Sequence, residues 1–419
     1  MTDVLPAGTV AGQVAPGYEA VRDLFTEGVP LLGRRGGAFA AYVDGELVAD
    51  LWAGTAGPEQ PWSEDTLAVT MSCTKGMAAL CLHVLIDRGL IDLDEPLARC
   101  WPELAASGNG AITLRQITTH TSGLLGTDDA ADTIGFDAAR WARQDQIAAA
   151  LAASAPSWEP GTRHGYHALS FGWLVAEIVR RVDGRTIGRF FADEIAGPLG
   201  LDARIGTTEA ELPRVARPLA IDLDVLPAEV RVLVEAQMEL ARTEGTLSAR
   251  AYLGGHGTSG LEHLIELVGS SEGLAIEAPA ANGTATARSL ARMYAMLAGG
   301  GEVDGVRIVS AESVALLGTQ VLEATDEVLA ELALPGYEIV IRHPVARTPL
   351  YQANNRSVTG LPRFGPSRGA FGTEGFGGQV AFADPELRVA IGYLRSDCVI
   401  ADLLAPQLID AVYALVGAR

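Results

Sequence analysis

Residues 76–89, Gly-Met-Ala-Ala-Leu-Cys-Leu-His-Val-Leu-Ile-Asp-Arg-Gly, are apolar nearly all round and close on Arg88-Gly89, a helix-stop signal. A helix without a polar face has to be enclosed by other elements, so the chain must build a core around this stretch. The turn before it carries Ser72-Cys73-Thr74-Lys75. On a helix, side chains three residues apart share a face, which sets the serine hydroxyl beside the lysine amine and away from bulk water. Lys75 is the only lysine among the 31 Lys and Arg residues. A lysine serving only as a positive charge would be interchangeable with the arginines that otherwise replace it. What arginine cannot do is lose its proton, whereas a buried, crowded ammonium can and then acts as a base. A base beside a hydroxyl is the arrangement that activates a serine nucleophile. Ser-x-x-Lys also arises by chance on ordinary helices. The isolation of the lysine and the buried helix behind it single this one out.

A chain of 419 residues exceeds one ordinary core, so two domains are expected. Hydrophobic content of 48% with 20% charged residues is that of a globular enzyme. The formal charge of −21 repels phosphate backbones and anionic lipid, which argues against nucleic-acid and electrostatic membrane partners. The first residues show no basic segment followed by an apolar one, and no run reaches the length of a membrane span. A cytoplasmic location is therefore expected. Cys73, Cys81, Cys100 and Cys398 include no C-x-x-C pair. Cys73 and Cys81 would lie about 12 Å apart on one helix, too far to bridge, so all four read as reduced thiols. His164-x-x-His167 lacks a third ligand nearby, and neither a metal nor another cofactor is expected.

Taken in order, residues 17–33 read as a short amphipathic helix. Ala38–Val43 and Glu46–Trp52 flank Asp44-Gly45, the strongest short hairpin signal. Leu67–Thr70 leads into the Ser72 turn, so the serine would sit where a sheet edge meets a helix N-terminus. From about 90 to 300 the pattern is helical, with Thr113–His120, Phe171–Asp183, Ile187–Ile195, 226–252 and Ala285–Leu297. Gly254–Gly260 reads as a surface loop or hinge; it has no Gly-Lys-Ser/Thr. Strand signals return with a small Asp304-Gly305 hairpin, Tyr337–Arg342, Gly378–Ala383 and Arg388–Leu394, before a helix over Ile400–Val416. The expected fold class is α/β plus all-α. Residues 1–90 and 300–419 form an α/β domain with an antiparallel sheet built from both termini. Residues 91–299 form a mainly helical domain, with about 212–285 contributing a pocket wall.

Acyl transfer through a serine needs a base, an oxyanion hole and a proton donor for the leaving group. Tyr166 is the candidate donor, since a phenol beside a cationic lysine can relay protons; a half-buried packing role is the competing reading. The histidines beside it shape a pocket or serve as structural hydrogen-bonding groups. Gly372–Gly378 precedes a strand. Its glycines allow close approach of a substrate, and the Phe376 N–H could complete an oxyanion hole with that of Ser72; a bulge or turn is the alternative.

Together these stretches resemble the serine β-lactamase and D-Ala-D-Ala-peptidase superfamily, specifically its class C-like branch and the family VIII carboxylesterases. The resemblance spans roughly residues 35–419. It rests on Ser72-x-x-Lys75, Thr119-His120-Thr121-Ser122-Gly123-Leu124, Trp158-Glu159-Pro160-Gly161-Thr162 followed by Tyr166, Pro198-Leu199-Gly200-Leu201 and Phe382-Ala383-Asp384-Pro385. It implies a β-lactamase/DD-peptidase-like fold, an acyl-enzyme on Ser72, Lys75 as base and Tyr166 as a catalytic residue. Thr373, Glu374, Gly375, His167 and Trp158 would bind substrate. Two departures bear on what is bound. Ala168 stands where the family's tyrosine motif ends in Asn or Ser, and Thr373-Glu374-Gly375 replaces Lys-Thr-Gly or His-x-Gly. A glutamate there would repel a substrate carboxylate. The expected activity is that of a carboxylesterase on small to medium esters. The alternatives are a transacylase of specialised metabolism, with an alcohol or amine acceptor, and then a β-lactamase or DD-peptidase. The oligomeric state is left open.

Overall fold

In the computed structural model, residues 9–127, 135–252, 261–332, 334–338, 342–356, 362–400 and 402–417 are described. A nine-stranded sheet, antiparallel throughout, runs through the molecule. Its strands are β1 (Val10–Val14), β2 (Gly37–Val43), β3 (Glu46–Ala53), β4 (Leu322–Ala324), β5 (Val345–Arg347), β6 (Gln352–Ala353), β7 (Phe371–Gly375), β8 (Gln379–Asp384) and β9 (Val389–Arg395). Their order is β1-β3-β2-β9-β8-β7-β6-β5-β4. The first three strands thus join the last three through the β2–β9 pair, the sheet expected from the two ends of the chain. Asp44 and Gly45 both have positive φ, 53° and 84°, as a two-residue hairpin turn requires. β1 was not anticipated: five residues around Gly12 carry too little alternation to signal a strand.

Strand periodicity separates two cores. From β2, Ala38, Ala40 and Tyr42 enter one, and Phe39, Ala41 and Val43 the other. The second is closed by α1 (Glu19–Gly28), through Val21 and Phe25, and by the C-terminal helix Leu404–Gly417, through Leu404, Leu408 and Val412. The first receives α2 (Thr74–Asp87), buried from Thr74 to Leu85, and the helix Ala287–Ala298, which lies on β2, β8 and β9. Enclosing α2 supplies the large apolar burial that its sequence demands, about 1.5–3 kcal/mol for each of Leu80, Leu82, Val84 and Leu85. Helix Ser170–Asp183 packs against α2 from the helical region.

Several expected elements differ in detail. The strand before Ser72, Leu67–Val69, belongs to a separate four-stranded sheet with Ala203–Arg204, Val215–Ala216 and Thr284–Ala285. The helical stretch 226–252 is two helices, Ala228–Arg242 and Leu247–Ala251. The second restarts where the Thr246 side chain accepts the Ala249 N–H. Of the expected strand Tyr337–Arg342, residues 339–341 lie outside the described residues; Arg342 N–H donates to Glu338 O at 2.9 Å, and the Glu338 carboxylate accepts the Gly336 N–H. The last helix begins at Leu404, where Asp402 accepts the Leu404 and Ala405 N–H groups. The expected loop Gly254–Gly260 lies outside the described residues.

Candidate active site

Ser72 lies in a single 3-10 turn, Met71–Cys73, directly before α2. Met71 has a φ of 47°, a left-handed conformation that a residue with a Cβ adopts at a cost. Thr70 anchors the turn: its N–H donates to Gly283 O at 2.8 Å, and its hydroxyl bonds the Thr74 hydroxyl at 2.8 Å. One turn into the helix, Lys75 is 5% exposed, and its Nζ lies 3.2 Å from Ser72 Oγ. The amine also donates to the Ala168 and Ala280 carbonyls at 2.8 and 2.9 Å. It makes no ion pair among the described residues. A neutral amine has two N–H groups and one lone pair. With two carbonyls taking the N–H groups, the lone pair is left for the serine O–H. Burial pushes the Lys75 pKa down, with Tyr166 as the chief opposing influence and the Arg347 charge adding to the fall.

Tyr166 stands over this pair, with Lys75 Nζ 4.8 Å from its ring centroid. Its backbone N–H donates to the buried carboxylate of Asp326 at 3.2 Å. His120 packs on the ring at 5.0 Å and has a φ of 59°, a second strained residue beside the site. A narrow pocket of about 20 Å³, room for a water-sized group, is lined by Ser72, Lys75, Tyr166, Thr373 and Glu374, with His120, Arg347 and Gln352 among the others. Of the residues expected to bind substrate, Thr373 and Glu374 are brought here. Thr373 meets the Tyr294 hydroxyl at 3.0 Å. Gly375 ends β7 against the serine turn, where a Cβ would come 2.8 Å from Thr70 O.

His167 and Trp158 stand one layer behind. His167 Nδ1–H donates to Gly165 O at 2.7 Å, so Nε2 accepts the Ser122 hydroxyl at 2.8 Å; its own N–H donates to His120 Nδ1 at 3.1 Å. Trp158 donates to Thr121 O at 3.0 Å and packs on the His167 ring. Neither is in the lining of the pocket; they fix the backbone that presents Tyr166. Glu374 does not stand as a free negative charge. It pairs with Arg363, and Gln352 donates to it at 3.1 Å, which removes the repulsion expected from it. Phe376 opens onto a neighbouring apolar cavity of about 190 Å³, lined with Leu233, Val234 and Met238 of helix Ala228–Arg242 and by Tyr252 and Leu264.

Arg347, Asp326 and His120 had no role in the sequence reading. His120 was on the page within Thr119–Leu124. Arg347 and Asp326 had no local signal, because only the sheet and the turn after β4 carry them to Tyr166.

Four buried histidines make stability depend on pH. Burial lowers His83 to about 3 and His167 to about 4, and holds His120 and His164 well below the ordinary 6.5. Below 6.5 the unfolded chain takes up protons that the folded chain refuses. This contribution is thus fully present above 6.5 and is lost as pH falls toward 4. Each histidine adds a slope of about 1.4 kcal/mol per pH unit. Asp50 and Asp326, raised by burial, oppose the loss only near the ordinary carboxylate range. Urea midpoints should fall steeply between about pH 6.5 and about pH 5, and His83→Gln should reduce the slope by about one proton. A flat profile would contradict the four neutral rings.

Fold and site together set a serine hydroxyl beside a buried amine in one pocket, the arrangement of a serine hydrolase. The beta-lactamase family model matches residues 21–397, and the chain belongs to that family. The esterase/beta-lactamase LipL of Mycobacterium tuberculosis is 34% identical over 97% of this chain and 86% of its own length. A penicillin-binding-protein homologue from Caulobacter crescentus superposes with a TM-score of 0.80 at 32% identity, covering 97% of this chain and all of that one. A family VIII carboxylesterase does so with the same TM-score, identity and coverage. The expected fold is therefore the observed one, and the chain is a serine hydrolase of carboxylesterase type. Among the described residues no helix is long and apolar enough to cross a membrane.

Proposed function

We propose that the chain is a carboxylesterase acting on small to medium esters through an acyl-enzyme on Ser72. The observation that carries this reading is the Lys75 amine 3.2 Å from Ser72 Oγ, buried, with both N–H groups directed at carbonyls. Ser72 Oγ attacks the ester carbonyl as its proton passes to Lys75 Nζ. The N–H groups of Ser72 and Phe376 hold the oxyanion. The leaving alcohol takes the proton, relayed from Lys75 by Tyr166. Water then attacks the acyl-enzyme; its proton passes through the same pair to Ser72 Oγ as the bond from Oγ to the acyl carbon breaks, and the carboxylic acid is released. The absence of a polar side chain at Ala168 favours esters over amides and β-lactams. The apolar cavity beside Phe376 supports the reading of 212–285 as a pocket wall and would take an apolar acyl or alcohol group.

The same cavity favours a second reading, transfer of the acyl group to an alcohol or amine held there in preference to water. Location in the cytoplasm remains part of this proposal, in keeping with four unpaired thiols.

The test is intact-mass detection of the acyl adduct after mixing with p-nitrophenyl butyrate, with Ser72→Ala as control. The expected result is one butyryl group on the wild type and none on the variant. An adduct on Ser72→Ala, or nitrocefin turnover matching that of the ester, would overturn the reading. Added alcohols that divert the acyl group without slowing nitrophenol release would favour transfer.

A further inference from the structure

Arg347 ends β5 and is 8% exposed, yet among the described residues it makes no ion pair and is the one guanidinium lining the pocket that holds Ser72 and Lys75. Its side chain's only hydrogen bond among the described residues is a long one, from Nε to His164 Nε2 at 3.4 Å. Neither terminal nitrogen makes a hydrogen bond among the described residues, and the residue lines the pocket. A buried cation whose fork is left open is costly unless something else completes it. The neighbouring acids do not. Glu374 is engaged by Arg363 and Gln352, and Asp326 accepts backbone N–H groups of Tyr166 and Val328. Arg347 Cζ lies 5.7 Å from the Tyr166 ring centroid and Lys75 Nζ lies 4.8 Å from the same point. The two cations thus flank one ring of the pocket that Ser72 also lines.

We infer that Arg347 selects esters carrying a second, ionised carboxylate a few carbons from the scissile carbonyl, such as the half-esters of short dicarboxylic acids. The planar guanidinium matches a carboxylate through two parallel N–H bonds, which a lysine would not reproduce. The partly buried setting strengthens the attraction relative to water. The inference rests on the acyl-enzyme reading above and names its substrate. It also reverses the expectation drawn from Glu374: the acid at that position is neutralised, and an unpaired cation faces the substrate from another strand.

The experiment compares kcat/KM for monoethyl glutarate and for ethyl valerate, which has the same acyl length with a methyl group in place of the carboxylate. Both are followed in wild type, Arg347→Gln and Arg347→Lys. The wild type should prefer the half-ester by at least about tenfold, the discrimination expected of one charge-assisted pair. That ratio should fall by about tenfold or more in Arg347→Gln and recover in part in Arg347→Lys. A wild-type preference for ethyl valerate would overturn the inference without any variant. So would an Arg347→Gln protein in which both esters slow equally, the outcome of a residue that only supports Tyr166 and His164. Butyryl adduct formation from p-nitrophenyl butyrate is scored alongside. Where the wild type acylates but prefers the neutral ester, the charge selection alone fails. Where it acylates with no ester, the acyl-enzyme reading fails and takes this inference with it.

Discussion

Lys75→Arg is expected to lower kcat/KM on p-nitrophenyl butyrate by about three to four orders of magnitude, the contribution of a positioned general base. The substitution keeps the hydrogen-bond donors and most of the aliphatic stem. What it removes is the lone pair. In the native site the amine gives its N–H groups to Ala168 O and Ala280 O and turns its remaining face to Ser72. A guanidinium has only donors to offer the serine, so the hydroxyl cannot hand over its proton. The loss should therefore lie in acylation, with the mass spectrum showing no adduct during the time the wild type is fully acylated. Because the site is buried and closely filled, the larger head also costs stability, and circular dichroism must show a folded protein before the rate is interpreted. A folded Lys75→Arg protein with wild-type turnover would mean that Lys75 is not the base. The acid limb of the wild-type pH–rate profile is a companion observation. Burial lowers the Lys75 pKa, so activity should be retained below the ordinary lysine range and be lost as the amine takes up its proton.

The second large effect is expected at Gly375, where β7 meets the serine turn. A Cβ there would sit 2.8 Å from Thr70 O and 3.0 Å from the Gln379 Cβ. Thr70 cannot yield, since both its N–H and its hydroxyl are tied to Gly283 O. The strand end must move away from Ser72 instead, and with it the N–H of Phe376. Gly375→Ala should thus lower kcat by about a hundred to a thousandfold, as removal of one oxyanion donor does, with a smaller change in KM. The kcat-against-KM split is the informative measurement. A loss confined to KM would show that β7 only shapes the binding wall.

How much of this could be read from residues alone follows from the range over which each signal acts. The hairpin at Asp44-Gly45 and the Ser72–Lys75 pairing are local: turn chemistry and helical spacing fix them, and the structure repeats them closely. The helical stretch 226–252 had the right period, but its division depended on one capping threonine, Thr246, lost within a polar run. The site divided in the same way. Ser72, Lys75 and Tyr166 come with their own motifs. Arg347 and the neutralising Arg363 come from separate segments near the sheet's far strands, and nothing in their immediate sequence marks them. The charge of Glu374 is not legible at its own position for that reason: its partner, Arg363, stands eleven residues upstream.

The pairing of β2 with β9 has a consequence for the birth of the enzyme. Val43 is matched with Val389, and Gly37 with Arg395. On the ribosome the early hairpin must wait, with one apolar edge bare, while the whole helical region is translated. Such an edge is a template for unwanted association, so the newborn chain is the aggregation-prone form and gains from chaperone cover or slow, cool expression. The serine turn and the strand that meets it likewise emerge far apart in time. No nascent fragment lacking β7 encloses the pocket that Ser72 and Lys75 share with Thr373 and Glu374.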